Sequence, residues 1–315
     1  MSERLRVRKP GLFTTIQDLG RPNAIMAGVP PSGAMDRFAH RAANVLAGND
    51  EGAATLECTL NGPELVALGS CLVAITGADF DPRVNGQPVD MWEGMFLHEG
   101  DELTFAGRRS GARTYIAVGG GIAGDRWLGS VSTYMLAARG GMHGRQLMAG
   151  DVIAIAGPPV GPPSRPAISG RRLSRHLVPE YSNHTLQAIV GPHIRRLGAA
   201  GRRELFGSPF KVSKDADRMG YRLEGPGLDA SGEELLSFGL AAGAIQVPRS
   251  GQPILLMADH QTAGGYPVVA TVAGAAMPVA AQLLPGDELT FAEVSTEGAL
   301  RMRKAQRAAL DSLTS

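Results

Sequence analysis

The chain has 315 residues, of which 43% are hydrophobic, 19% charged and 5% aromatic, with a formal net charge of +1. Near-neutrality gives no global attraction for nucleic acid or an anionic membrane, and so few aromatics give no stacking platform for single-stranded bases. Two cysteines, Cys58 and Cys71, are too few for a disulfide framework or a four-ligand zinc site, and no run approaches the ~20 apolar residues of a membrane span, so a cytoplasmic location is expected.

The length exceeds what one core usually organises, and 42 glycines and 21 prolines suit many short strands joined by tight turns. Residues 5–30 read as a short strand followed by a long irregular loop. Met35, Phe38, Ala42, Val45 and Leu46 then recur on one helical face, with Ser32 or Asp36 to cap the start and Gly48 to end it. From Ala54 to Phe105 strands alternate with turns, and Asn85-Gly86 is a hairpin signal. Gly119 to Gly124 spells G-x-G-x-x-G after a strand. The residues that follow start no periodic helix, and no acid stands between Asp125 and Asp151, so a dinucleotide reading fails its context.

Residues 157–185 are rich in Pro, Gly and Ser and have no apolar period. The expected organisation is a first domain over 1–157, a linker over 158–185, a second domain over 186–294 and a helical tail over 295–315. The second domain carries the strand signals LQAIV, FKVS, YRLEG and AIQV. Next come two apolar runs, Ile254–Ala258 and Val268–Thr271, flanking a polar knot from Asp259 to Pro267. SGEELL from Ser231 fits a capping box and predicts a short helix, as does MPVAAQLL further on. GDELTFA occurs word for word at Gly100–Ala106 and Gly286–Ala292, with a weaker copy, GDVIAIA, at Gly150–Ala156. Copies of one turn-and-strand unit imply two related β-rich domains.

Among chemical motifs, no Gly-Lys pair exists for a phosphate loop, and there is no HExxH, CxxC or GxSxG. The seven histidines lie without metal-ligand spacing, so no metal is expected. Eight arginines between Arg165 and Arg203 against the single acid Glu180 read as a solvated linker and domain edge. The run from Ser213 to Arg222 is denser in chemistry. Arg218 could grip a planar carboxylate, with Asp217 holding it or acting as a base; an internal Asp–Arg ion pair bracing a turn is the plainer reading.

The segments GLFTTIQDLGR, GVPPSGAMDRFAHRAANVLAGN, GSVSTY, DADRMGYRLEGP and GAIQVPRSGQPILLMADHQTAGGYP together resemble one family. Its members are known as the 5-oxoprolinase C subunit, allophanate hydrolase subunit 2 or biotin-dependent carboxyltransferase-like protein, and the likeness runs from about Arg6 to Val294. The resemblance implies a mainly β protein of two tandem cyclophilin-like β-barrel domains with a few short helices. It implies work with a homologous 5-oxoprolinase B-like partner and an A-like protein, in an ATP-dependent complex that opens 5-oxo-L-proline to L-glutamate. Its alternatives are the carboxyltransferase component of a biotin-dependent urea or amide carboxylase, and a non-catalytic regulator of a kinase-inhibitor-like partner. By the same resemblance the catalytic residues are Asp217, Arg218, Gln261 and Thr262. Arg218 would suit the carboxylate of 5-oxoproline, Asp217 would be base or orienting group, and Gln261 and Thr262 would be donors to a nascent oxyanion. Met219, Gly220, Gly264, Gly265 and Tyr266 would bind a small amide or lactam, joined from the first domain by Ser32, Asp36, Ser132, Thr133 and Tyr134. No cofactor is expected on this chain alone; ATP, or carboxybiotin in the alternative, would arrive with partner chains. After Gly191-Pro192-His193 this chain has Ile194-Arg195-Arg196-Leu197 where the family carries acidic and aromatic residues.

Overall fold

The computed structural model describes residues 2–158, 170–230 and 232–314. Part of the Pro-rich linker, 159–169, and Ser231, the start of the capping-box signal, lie outside them. The chain forms two compact units: Met1–Arg21, Ser32–Val178 and Ala308–Ser315 make the first, and Pro22–Pro31 with Pro179–Arg307 make the second. The fold is mainly β, as the resemblance implied.

In the first unit the alternation of apolar and polar residues produces two sheets that bury one face each against the other. A six-stranded sheet runs in the order Val152–Ile155, Ser2–Lys9, Glu64–Ala67, Glu102–Phe105, Pro82–Val84 and Gln87–Pro88. A five-stranded sheet runs Phe13–Gln17, Thr55–Thr59, Ser110–Val118, Cys71–Asp79 and Gly94–Leu97. Leu5, Leu65 and Ile153 of the first meet Ile16, Leu56, Ile75 and Ile116 of the second in one core. Helix α1 (Arg37–Leu46) covers the other face of the five-stranded sheet, seating Phe38, Ala42 and Leu46 on Ala74, Tyr115 and Ala117. Its cap is Asp36, which accepts the Ala39 N–H at 2.9 Å; Ser32 does not cap it. The Asn85-Gly86 hairpin forms as expected, with both residues at positive φ. Arg172 pairs with Asp90 and Glu93, and Leu173 is buried, so the end of the Arg-rich stretch within this unit packs on its own acids.

The second unit holds a closed barrel, in the order Thr185–Val190, Val268–Val272, Ala244–Gln246, Ile254–Leu256, Gly220–Glu224, Phe210–Val212 and Glu288–Glu293. A parallel pairing of Thr185 with Thr290 closes the ring. Closure removes sheet edges, which lets strands as short as three residues persist. Tyr221, Ile245, Leu255 and Phe291 are buried in it, with Phe291 against Phe210 at 5.8 Å between ring centroids. The two apolar runs around the polar knot are not neighbours. Ala244–Gln246 lies between them, so residues 257–267 cross over a strand rather than closing a hairpin.

Helices α2 (Gly198–Gly207), α3 (Met277–Ala281) and α4 (Thr296–Asp311) complete the chain. Helix α3 matches MPVAAQLL. Helix α2 was not expected, since three of its ten residues are glycine and argue against helix; burial of Leu205 and an Arg202–Glu293 pair hold it in place. Residues 232–237 form no helix, so the capping-box expectation fails over its described part. The end of the chain is buried: Ala309 and Leu310 of α4, and Leu313 just after it, enter the first unit's second core.

The repeated Gly-Asp words make one turn three times. Gly100, Gly150 and Gly286 have φ of +89°, +91° and +98°, a region closed to most side chains. The aspartate after each accepts the N–H three residues before it: Asp101 from His98 at 2.7 Å, Asp151 from Met148 and Asp287 from Leu284, both at 2.8 Å. The backbone of each glycine and aspartate then exchanges hydrogen bonds with one residue of the neighbouring strand, Ala67, Val7 and Val212 in turn. Arg145 grips Asp151 with both terminal nitrogens, at 2.7 and 2.8 Å, and holds its carboxyl below the usual range.

Candidate functional site

The second unit contains an open cleft of about 1930 Å³. Its floor follows from strand periodicity. Tyr221, Leu255 and Ile245 point to the barrel core, so their neighbours Gly220, Arg222, Ile254, Leu256 and Gln246 present the opposite face to the cleft. The walls come from residues 227–230, 232–235 and Ser237, from residues 247–251, and from Gln261 and residues 265–267 of the knot. The lining carries five carboxylates (Asp215, Asp217, Asp229, Glu233, Glu234) against three arginines (Arg196, Arg222, Arg249). Among the described residues no group of three or more His, Cys, Asp or Glu is placed to hold a metal ion. Nor is any helix there long and apolar enough to cross a membrane.

Of the residues expected at a site, Asp217, Met219, Gly220, Gln261, Gly265 and Tyr266 line this cleft. Arg218 does not, and its partner is not Asp217. Arg218 Nε donates to Asp259 Oδ2 at 2.8 Å, and one terminal nitrogen reaches Oδ1 at 3.4 Å, with both side chains about nine-tenths buried. The Asp259 N–H also donates to the Arg218 carbonyl, and the Met257 N–H to that of Met219, so the knot's first turn is sewn to residues 218–219. Asp217 accepts the N–H groups of Met219 and Gly220 at 2.8 and 3.1 Å, forming a local turn. The ion pair found differs from the internal one of the plainer reading: its acid is Asp259, outside the run. The arginine that does face the cleft from this strand is Arg222.

Thr262 and Gly264 stand just behind the wall: the Thr262 carbonyl accepts the Leu240 N–H at 2.9 Å, and Gly264 pairs with Phe238. His260 is buried, and its Nδ1 lies 2.8 Å from the Gln261 carbonyl, which makes that nitrogen a donor. Gln246 was missed. It is 1% exposed, lines the cleft, and its Nε2 has no hydrogen-bond partner. The signal was present in AIQV, one amide in an otherwise apolar strand.

The five residues expected from the first domain lie in the first unit, and most are committed there. Asp18 gathers the hydroxyls of Ser130 and Ser132, both at 2.6 Å, with the N–H groups of Val131 and Gly20. Ser132 Oγ also accepts the Asp18 N–H, so this buried hydroxyl both donates and accepts within the first unit. Thr133 donates to the Ile16 carbonyl, Tyr134 stacks on Trp127 at 6.4 Å between centroids, and Asp36 caps α1. Ser32 alone keeps an unpartnered hydroxyl, on a buried residue with φ of +54°.

Against known proteins, the family model described as "Carboxyltransferase domain, subdomain A and B" matches residues 27–293. The chain belongs to this carboxyltransferase-domain family. It is 37% identical to the 5-oxoprolinase C subunit of Escherichia coli, over 96% of this chain and 95% of that one. It is 32% identical to the same-named protein of Haemophilus influenzae, over 95% and 94%. Urea amidolyase of Lachancea kluyveri is 32% identical over 98% of this chain, which spans only 18% of that protein's length. Among solved structures, K. lactis urea amidolyase superposes with a TM-score of 0.90 at 28% identity, over 99% of this chain and 20% of its own.

Proposed function

We propose that this carboxyltransferase-domain protein is the C component of an ATP-dependent 5-oxoprolinase, acting with a homologous B-like partner and an A-like protein to convert 5-oxo-L-proline to L-glutamate. The 37% identity to the 5-oxoprolinase C subunit of E. coli, against 32% to the urea-processing relative, carries the reading. Opening a lactam requires its oxygen to take up electron density while water attacks the carbonyl carbon. Neutral amide donors such as Gln261 stabilise that oxygen. Arg222, facing the cleft, suits the substrate carboxylate, and Asp217 on the wall suits activation of water. A lining with five acids, three arginines and no lysine does not fit a triphosphate, so the nucleotide is assigned to partner chains.

A second reading, carboxyl transfer from carboxybiotin to urea or a related amide, draws on the family description and the 0.90 TM-score. One assay separates the two. The chain is mixed with its B-like and A-like partners, ATP and 5-oxo-L-proline, with parallel reactions omitting each component. Glutamate formation that stops when this chain is left out supports the proposal. Fixation of labelled bicarbonate onto urea with a biotin carboxylase and carrier, and no glutamate, replaces it with the second reading.

A further inference from the structure

Between the strands Ser110–Val118 and Val152–Ile155 the first unit carries two tight turns side by side. Trp127 and Ser130 exchange backbone hydrogen bonds across the first, at 2.8 and 3.1 Å, and Tyr134 and Arg139 across the second, at 2.8 and 3.3 Å. The Trp127 and Tyr134 rings stack, and the Arg21 guanidinium lies 5.0 Å over Trp127. Backbone packs on backbone around them. A Cβ on Gly140 would sit 2.2 Å from the Ser132 carbonyl oxygen, and one on Gly144 2.0 Å from the Ala138 carbonyl carbon. Leu128 and Ala138 are held at φ of +48° and +49°, a region that side chains avoid. What this rigid support displays is apolar. Leu136 is 73% exposed and Leu128 52%, and Met135 beside Leu136 is exposed too. Arg126 and Arg139 flank these tips, are exposed, and have no carboxylate partner among the described residues. The nearby acid, Asp125, lies 3.1 Å from His143. Aromatic anchors, apolar tips and arginine make up protein-binding surfaces, and a surface rigid before contact loses little freedom on binding.

The second unit offers the matching size and charge. Its cleft of about 1930 Å³ exceeds the roughly 300–1,000 Å³ of a small-molecule site. Five carboxylates line it against three arginines, and one of those, Arg196, is turned to the Glu233 carbonyl at 2.8 Å. Met219 and Tyr266 leave apolar surface open in the lining. Both leucines are exposed on the intact chain, so what covers them must come from another molecule. We infer that the Leu128 and Leu136 turns of one chain dock in the second-unit cleft of another copy, with Arg126 and Arg139 facing the wall acids Glu233 and Glu234. The contact joins unlike surfaces, so it either closes reciprocally into a dimer or propagates. It goes beyond the proposed function and does not depend on its substrate.

Sedimentation velocity of the full chain over a concentration series reads the association. Wild type is expected to associate below about 1 mM, and less so when salt rises from about 0.1 M to about 1 M. Leu136→Asp changes a mostly exposed side chain, so it is expected to keep its melting temperature while weakening association by about tenfold or more. Arg126→Glu/Arg139→Glu and Glu233→Lys/Glu234→Lys each set like charges against one another, and each alone is expected to sediment as a monomer. Mixing the two restores opposite charges across the contact and is expected to return the larger species. Wild type that stays monomeric throughout overturns the inference, as does association unchanged in Leu136→Asp. Association that survives Glu233→Lys/Glu234→Lys removes the cleft as the socket. Leu136-dependent binding of the B-like partner, or of anionic phospholipid vesicles, by a chain that does not self-associate would give the turns to that occupant and overturn the inference too.

Discussion

Arg218 shows how a residue's chemistry depends on what its neighbours have already taken. A guanidinium about nine-tenths buried, held by Asp259 through Nε and a terminal nitrogen, is a brace for the knot. Removing one member of a buried pair leaves the other charge uncompensated, at a cost of about 3 kcal/mol or more. Arg218→Ala and Asp259→Ala are therefore each expected to lower the urea midpoint by that order, and the double variant to cost less than their sum. Asp217→Ala, on an exposed turn, is expected to cost under about 1 kcal/mol. Chemical denaturation of the four proteins checks this; a stable Arg218→Ala that has lost only ligand binding would return Arg218 to the substrate. The sequence showed an Asp–Arg cluster but could not show which acid, because Asp259 lies far along the chain and is brought in by strand pairing. Gln246 was hidden for a related reason: an amide in an apolar strand acquires meaning only once the strand's two faces are known.

At the scale of elements, helix α1 and the sheet beneath it carry a buried histidine. His40 Nδ1 lies 2.9 Å from Thr55 Oγ1, and the Asn44 amide nitrogen lies 3.4 Å from Nε2. Thr55 and Asn44 thus contact a ring that burial holds neutral. Burial takes the His40 pKa down to about 3, with Asp18 opposing part of the fall. The unfolded chain takes up this proton below about pH 6.5 and the folded chain does not until near pH 3. Stability is therefore full above pH 6.5 and declines as pH falls, by up to about 1.4 kcal/mol per pH unit from this group. Urea midpoints between pH 7 and about 5, above the range where carboxylates titrate, should show that slope. His40→Gln should flatten it, and an unchanged slope would contradict a neutral His40. The helix itself was legible from its apolar spacing, and so was the Gly-Asp turn, which needs a positive φ and a short acid wherever it occurs. Helix α2 was not legible, because its glycines oppose helix and tertiary burial overrides them. The knot's crossover was hidden because spacing along the chain does not say which strand lies between two others.

For the whole molecule, the mainly β architecture and the family were both readable from repeated turns and motif runs, and the family model and the solved relatives bear them out. The distribution of the expected site residues was not readable. One set lines a cleft in the second unit, and the other is largely engaged in the polar skeleton of the first. The central claim is that the cleft of the second unit, with Arg222 on its floor, is where a lactam carboxylate is gripped while the ring is opened. Arg222→Met keeps an unbranched side chain there and removes the charge. The decisive measurement is glutamate released from 5-oxo-L-proline by the assembled complex, compared between wild-type and Arg222→Met chains of equal melting temperature. The account predicts that the variant loses most of the kcat/KM, on the order of a hundredfold for a lost charge-assisted contact; wild-type kcat/KM in Arg222→Met would contradict it.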